Sequence, residues 1–173
     1  MQKEIDSLKK RAQEKQKENK KFLDRLKQKP PKHLDVMMKE LHTKTFNSVD
    51  CLECANCCKT TSPIVTDKDT ERIAKHLKMK AHAFEDRYLR VDEDGDRVFN
   101  TAPCEFLAAD NYCLIYDVRP KACSEYPHTN RKKFHLINKI TLANTAVCPA
   151  TFQIVEKLKS KLVKPAKEPR TGR

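Results

Sequence analysis

Eight cysteines stand in a chain of 173 residues, and four of them crowd into one short run: Cys51, Cys54, Cys57 and Cys58. The other four, Cys104, Cys113, Cys123 and Cys148, are single and widely spaced. Thiolates two residues apart on a short loop can converge on one metal centre. The adjacent pair Cys57-Cys58 cannot easily aim both sulfurs at one ion. The set therefore points to more than one metal atom, or to a polynuclear centre.

The N-terminus, Met1 to Asp6, lacks the apolar stretch of a signal peptide. No run approaches the roughly 18 apolar residues that a membrane span needs. The expected location is cytoplasmic, with no membrane partner. In a reducing cytosol, clustered cysteines read as metal ligands and not as disulfides.

Cys51-x2-Cys54-x2-Cys57 opens like a ferredoxin-type iron–sulfur run, whose fourth ligand is usually a Cys followed by Pro. Here that residue would have to be Cys148, before Pro149 and far along the chain. Zinc competes, because it favours four-thiolate sites and Cys-x2-Cys knuckles. A zinc ribbon wants two knuckles, and this chain has one knuckle region. Soft thiolates accept either metal, so ligand type does not decide. The expectation is that all eight cysteines are metal ligands. The expected cofactor is an iron–sulfur cluster of the [4Fe–4S] type, with Zn2+ the alternative.

Other site chemistries find less support. The Cys-x3-Cys-x2-Cys pattern of radical chemistry is absent. A thioredoxin-like pair needs a strand before Cys51, and none is readable there. His128 is a substitute ligand at most, since eight thiols suffice. His76 and His82 read as helix-surface residues. The loop Asp92-Glu93-Asp94-Gly95-Asp96 resembles a calcium loop superficially. It lacks the distal Glu and the flanking helices, so a hairpin turn is expected.

The elements that must position these thiols come from a polar composition: 38% hydrophobic, 35% charged, with no Trp and two Gly. Such a chain builds a thin core, and a metal centre can substitute for missing apolar burial. The net charge of +12 is uneven. Residues 1–44 hold 14 Lys/Arg against 7 Asp/Glu, residues 51–155 are nearly neutral, and residues 156–173 hold 7 against 2. The chain thus divides into a basic helical N-terminal extension (1–44), a cysteine-cluster metal-binding domain (45–155), and a basic C-terminal helix end with a disordered tail (156–173).

Residues 3–28 read as a helix with a weak seam through Ile5, Leu8, Ala12, Lys15, Asn19, Phe22 and Leu26. The expectation is a solvated charged helix that packs lightly at its ends, with a coiled-coil contact to a partner as the competing reading. A short helix follows from about His33 to Lys44. Thr66 and Asp69 form a helix start, and Ile73, Leu77, Phe84 and Tyr88 mark two short helices. Val91 to Val98 reads as a hairpin turning at Asp94-Gly95. Lys121 to Tyr126 makes one helical turn, Phe134 to Thr141 a strand, and Pro149 to Val163 a last helix. The fold class is mainly α: a small, irregular, metal-stapled domain with one β-hairpin and flanking basic helices.

The cysteines and their neighbours occur in a distinctive order. After the first run come Cys104-Glu105-Phe106-Leu107, then Cys113-Leu114-Ile115-Tyr116, then Arg119-Pro120 with Cys123. Tyr126-Pro127 and Cys148-Pro149 complete it. This order resembles the YkgJ-like cysteine-cluster family over about residues 50–150. Tyr126 stands where that family often shows Phe. The resemblance implies a zinc- or iron-chelating domain, and a related cluster occurs in flagellin lysine N-methylases. It implies no particular reaction.

Three functions follow as expectations. The first is a metal-binding protein with a structural or electron-transfer role. The second is a metal-dependent enzyme, for group transfer such as protein lysine methylation or for redox chemistry. Methyl transfer gains little from a chain with two glycines and no Gly-rich nucleotide loop. The third is a metal-stapled adaptor that binds RNA or an acidic protein through its basic helices. Arg119, Tyr116, Asp117 and Glu125 lie among the ligands in sequence. They are expected to cap turns and hydrogen-bond to cluster sulfurs.

Overall fold

A computed structural model of the chain describes residues 2–163. Strong helix formers carry α1 (Gln2–Gln28) without interruption until Pro30-Pro31 stops it. α2 (Leu34–Phe46) follows, and then two short helices hold the cysteine run, α3 (Cys51–Cys54) and α4 (Asn56–Thr60). α5 (Asp67–His76) starts at a reciprocal capping box between Thr66 and Asp69. α6 (Ala81–Tyr88) leads into an antiparallel hairpin, β1 (Leu89–Val91) and β2 (Arg97–Phe99), with Leu89 opposite Phe99 and Val91 opposite Arg97. Gly95 takes φ +84° in its turn, a left-handed conformation that glycine adopts without steric cost. A 3-10 turn at Tyr116–Val118 precedes α7 (Lys121–Glu125). α8 (Asn138–Asn144) and α9 (Pro149–Leu162) close the described chain, α9 with Pro in its first turn. The architecture is mainly helical with a single hairpin. Among the described residues no helix is long and apolar enough to cross a membrane. The expected C-terminal tail lies outside the described residues.

One expected element is wrong. Phe134 to Thr141 is no strand: it is a 3-10 turn at Phe134–Ile137 running into α8. The buried positions are Phe134, Asn138 and Thr141, a helical spacing, while Leu136 and Ile140 are exposed. The β-branched and apolar residue types pointed to a strand, but the packed face is set by Asn138. Its amide donates to the Leu23 carbonyl of α1 at 2.5 Å.

The seam of α1 packs along most of its length, not lightly at its ends, and is covered by the chain's own helices; Lys15 alone of the seam is exposed. Leu8, Ala12, Asn19, Phe22, Leu23 and Leu26 are buried, and α1 packs on α8 and α9. Phe22, Leu23 and Leu26 join Met38 and Leu41 of α2, Phe134, and Ile154 and Leu158 of α9 in one apolar cluster. A second cluster holds Val65, Ile73, Phe84, Phe99, Phe106 and Ile115. The fold is thus a helical bundle of α1, α2, α8 and α9 with a lobe, residues 51–128, that leaves after α2 and returns before Phe134. The neck is tied by Asp35, which accepts from the Lys133 and Phe134 amides at 2.7 and 3.1 Å, and by His42 against Thr129 at 2.8 Å.

Asn19 sits fully buried in the α1 seam, and neither end of its amide has a hydrogen-bond partner. An unsatisfied buried amide costs on the order of 1–3 kcal/mol. Asn19→Leu, similar in volume and apolar, is expected to stabilise the chain by about 1–2 kcal/mol in urea unfolding. A destabilised variant would show that the amide is doing something the packing does not reveal.

Candidate metal centre

The first four cysteines are placed by two helical turns joined at a sharp break. Asp50 caps α3 by accepting from the Leu52 amide at 2.7 Å. Cys51 and Cys54, three apart on that turn, lie on one side of it. Ala55 then adopts the left-handed conformation, φ +46°, which ends α3 and restarts the chain as α4. Cys57 and Cys58 follow on α4, their sulfurs 4.0 Å apart.

The distant cysteines reach this turn by specific ties. The Asn56 side chain donates to the Val147 carbonyl at 2.6 Å, which brings in Cys148 at the start of α9. The Cys104 amide donates to the Cys58 carbonyl at 2.8 Å. Leu107 bridges to Cys113, and the Leu114 amide donates to the Phe106 carbonyl at 2.9 Å, so a tight loop carries Cys104 and Cys113 together. Cys123 rides on α7, which is pinned to α5. The Lys121 amide donates to Asp69 at 3.1 Å, and Arg72 donates to the Arg119 carbonyl at 2.9 Å. All eight thiols are free; Cys54 is buried, Cys51 is exposed, and the rest are half-buried. Among the described residues no three His, Cys, Asp or Glu side chains stand close enough to hold one ion as they are. The thiols are gathered by their segments but not closed onto a point.

Their protonation follows from that half-buried gathering. Burial pushes Cys51 and Cys104 from the ordinary 9.0 up to about 11, and Cys123 up to about 12. Burial also raises Cys113 and Cys148. Neighbouring thiolates add to this in two overlapping groups, since Cys58 also acts on Cys51 and Cys123 also acts on Cys57. Cys148 and Cys54 act on Cys51, and Cys54 acts on Cys148. Cys58 acts on Cys104, Cys113 and Cys123. The pair at the join shares a proton: the Cys57 thiol donates to Cys58, which lowers Cys58 and strongly raises Cys57.

These raised values have a defined pH consequence. A thiol held neutral by burial stabilises the metal-free fold below the ordinary thiol pKa of 9.0, and that stability is lost as the pH climbs through about 11 to 12. A metal must displace the same protons. Apparent metal affinity is therefore expected to rise between about pH 6 and pH 8, by roughly tenfold per unit for each proton released. Chelator competition across that range checks it, and a flat profile would contradict ligation by these thiols.

Tyr126 supplies a test of fit. Its hydroxyl oxygen is buried without a hydrogen-bond partner. Burial raises its pKa strongly, and the thiolates of Cys148, Cys57, Cys54 and Cys58 raise it further. It is a buried phenol without a partner, within electrostatic reach of four cysteines. Metal-bound thiolates are hydrogen-bond acceptors, so a metal here would satisfy an oxygen that is otherwise orphaned. The donor set, thiols with a phenol behind them, fits a thiophilic metal.

The other residues near the ligands in sequence sort differently. Arg119 lies over the Tyr116 ring at 3.8 Å, donates to the Tyr116 carbonyl at 2.5 Å, and pulls Cys113 and Cys123 downward against the larger effect of burial. His128 faces Glu125 at 3.9 Å. His76 and His82 are exposed on α5 and α6. In the hairpin, Asp92 accepts from the Asp94 and Asp96 amides at 3.0 and 2.9 Å, a turn device and not a calcium loop.

Residues 50–149 match the family model CxxCxxCC, described as "Putative zinc- or iron-chelating domain". The chain belongs to this family. The match begins one residue before Cys51 and ends one after Cys148, so it takes in every cysteine of the CxxCxxCC domain. No curated protein and no solved structure matches the chain significantly.

Sequence reasoning read Asp69 only as half of a capping box. It is 1% exposed and also accepts from Thr66, Arg72 and the Lys121 amide, so it holds the Cys123 helix in place. Burial alone would raise its pKa, yet these hydrogen bonds prevail and hold it below the carboxylate norm. Asp69→Ala leaves buried donors unpaired and is expected to cost about 2–4 kcal/mol and to weaken metal retention. Denaturation with parallel metal analysis reads both effects. A variant as stable as the parent would remove Asp69 from the scaffold. No motif announced this second duty, because it depends on a contact 52 residues along the chain.

Proposed function

We propose that this CxxCxxCC protein holds an iron–sulfur cluster on its cysteines and serves a structural or electron-transfer role in the cytoplasm. What supports iron–sulfur over zinc is the tie between Asn56 and Val147. It brings Cys148-Pro149 to the Cys51-x2-Cys54-x2-Cys57 run, and so supplies the Cys-Pro that the run lacks locally. Cys51, Cys54, Cys57 and Cys148 would hold the cluster. Bound there, it supplies a one-electron couple and a cross-link between α3–α4 and α9. The Tyr126 hydroxyl would donate to a cluster sulfur and stabilise the reduced charge. Cys51 is the exposed edge of the site and the natural path for an electron.

Anaerobically purified protein is expected to be brown, to absorb near ~400 nm, and to contain iron and acid-labile sulfide. Colourless protein carrying stoichiometric zinc would sink the iron reading and keep the metal one. Protein with no metal and no uptake would sink both.

A second reading concerns partners. The open face of α1 groups Lys17, Lys20, Lys21 and Arg25 around a shallow groove, with Asp24 as its acid. Such a face suits an acidic protein or RNA backbone, and the scarcity of aromatics in this helix argues against base stacking. Binding that failed to weaken from low to high salt would count against it.

A further inference from the structure

Four of the eight thiols are carried by two packed cores, and the other four, in the run at 51–58, lie in neither core. Cys148 opens α9, whose Ile154 and Leu158 lie in the bundle core. Cys104 and Cys113 pack against the lobe core with Phe106 and Ile115. Cys123 is pinned to that same lobe through Asp69 and Arg72. The run divides between them at one peptide bond. Before it, Asn56 holds the bundle side at 2.6 Å; after it, the Cys58 carbonyl holds the Cys104 amide at 2.8 Å. Successive helical residues point about 100° apart, so Cys57 and Cys58 naturally serve different sides.

We infer that Cys58, Cys104, Cys113 and Cys123 form a second metal site, distinct from the one on Cys51, Cys54, Cys57 and Cys148. It would take a single divalent, thiophilic, tetrahedral ion such as zinc. This rests on the metal-binding reading above but not on the iron–sulfur one. Four thiolates fill a tetrahedron, so the second site is closed and structural. Its ligands come from a loop, a short helix and α4, none long enough to be stable alone, and the ion is what would fix them on the lobe core. The two sites would be neighbours, because the sulfurs at the join are 4.0 Å apart.

Titration of the reduced, metal-free full chain with Co2+ under anaerobic conditions tests this. Tetrahedral cobalt thiolate absorption reports each site without sulfide. Two equivalents per chain are expected. Cys113→Ser or Cys123→Ser should lose one, Cys54→Ser or Cys148→Ser should lose the other, and each variant should keep the remaining equivalent. If every one of these variants loses all cobalt while circular dichroism shows it folded, the eight thiols make one shared centre and the inference fails. If Cys113→Ser does not fold, Cys113→His keeps a donor and decides. One equivalent should retain the parent spectrum and the other shift to that of a mixed nitrogen–sulfur site; a shift of the whole spectrum overturns the division. No cobalt uptake by the parent chain would overturn the metal-binding reading itself. Iron and sulfide in the purified protein, measured separately, bear only on the identity of the first site.

Discussion

Metal-stripped protein, kept reduced and free of oxygen, should lose the cooperative melting of the 51–128 lobe while part of the helical signal survives. The lobe core is small: Val65, Ile73, Ala74, Phe84, Phe99, Phe106 and Ile115 are its buried members. A structural metal contributes about 10–16 kcal/mol in minimal zinc folds. A whole domain is stable by only about 5–15 kcal/mol, so the lobe cannot absorb that loss. The bundle has its own apolar cluster and no cysteine within it, so its helices should persist. The four tyrosines, Tyr88, Tyr112, Tyr116 and Tyr126, all lie in the lobe, and the chain has no Trp. The tyrosine band of near-ultraviolet dichroism therefore reports on the lobe, and far-ultraviolet dichroism mainly on the bundle. A tyrosine signal that melts identically with and without metal would contradict the expectation.

Removing residues 1–28 should be as damaging to the other half. α1 contributes Leu8, Phe22, Leu23 and Leu26 to buried positions. Each large apolar side chain is worth about 1.5–3 kcal/mol on burial, so their loss together rivals the total stability of a domain. The truncated chain is expected to expose the apolar faces of α8 and α9 and to aggregate or self-associate on gel filtration. The gentler variant Leu23→Ala should cost about 2–5 kcal/mol. A truncated chain that stays monomeric and melts at the parent temperature would show that α1 is dispensable despite its burial.

Local signals were readable where the residue that made them also decided the structure. Pro30-Pro31 ended α1, Thr66 and Asp69 capped α5, Asp94-Gly95 turned the hairpin and Pro149 opened α9. The family order of cysteines was equally legible, since it is a property of the sequence itself. What escaped depended on partners far along the chain. The stretch from Phe134 looked like a strand because its exposed Leu136 and Ile140 carried the apolar signal, while a polar residue, Asn138, chose the inward face. The seam of α1 looked solvated because Lys15 interrupts it, yet α9 was there to cover it and Lys159 was there to meet Glu18 at 2.6 Å. Asn56 looked like a spacer between cysteines, and its contact with Val147 spans 91 positions.

The neck between bundle and lobe has a mechanical meaning. Asp35, His42 and Asn56 fasten the outgoing strand of chain to the returning one, so the lobe is a closed loop hung from the bundle. Tension applied at Gln2 and Leu162 would travel through α1 and α9 and across the neck, bypassing the loop. The helices would have to shear apart, and then those few hydrogen bonds break, before any load reached a cysteine of the lobe. Seven of the eight cysteines sit in the slack of the chain, shielded from pulling by the bundle, and Cys148 alone stands at the head of α9 on the load path.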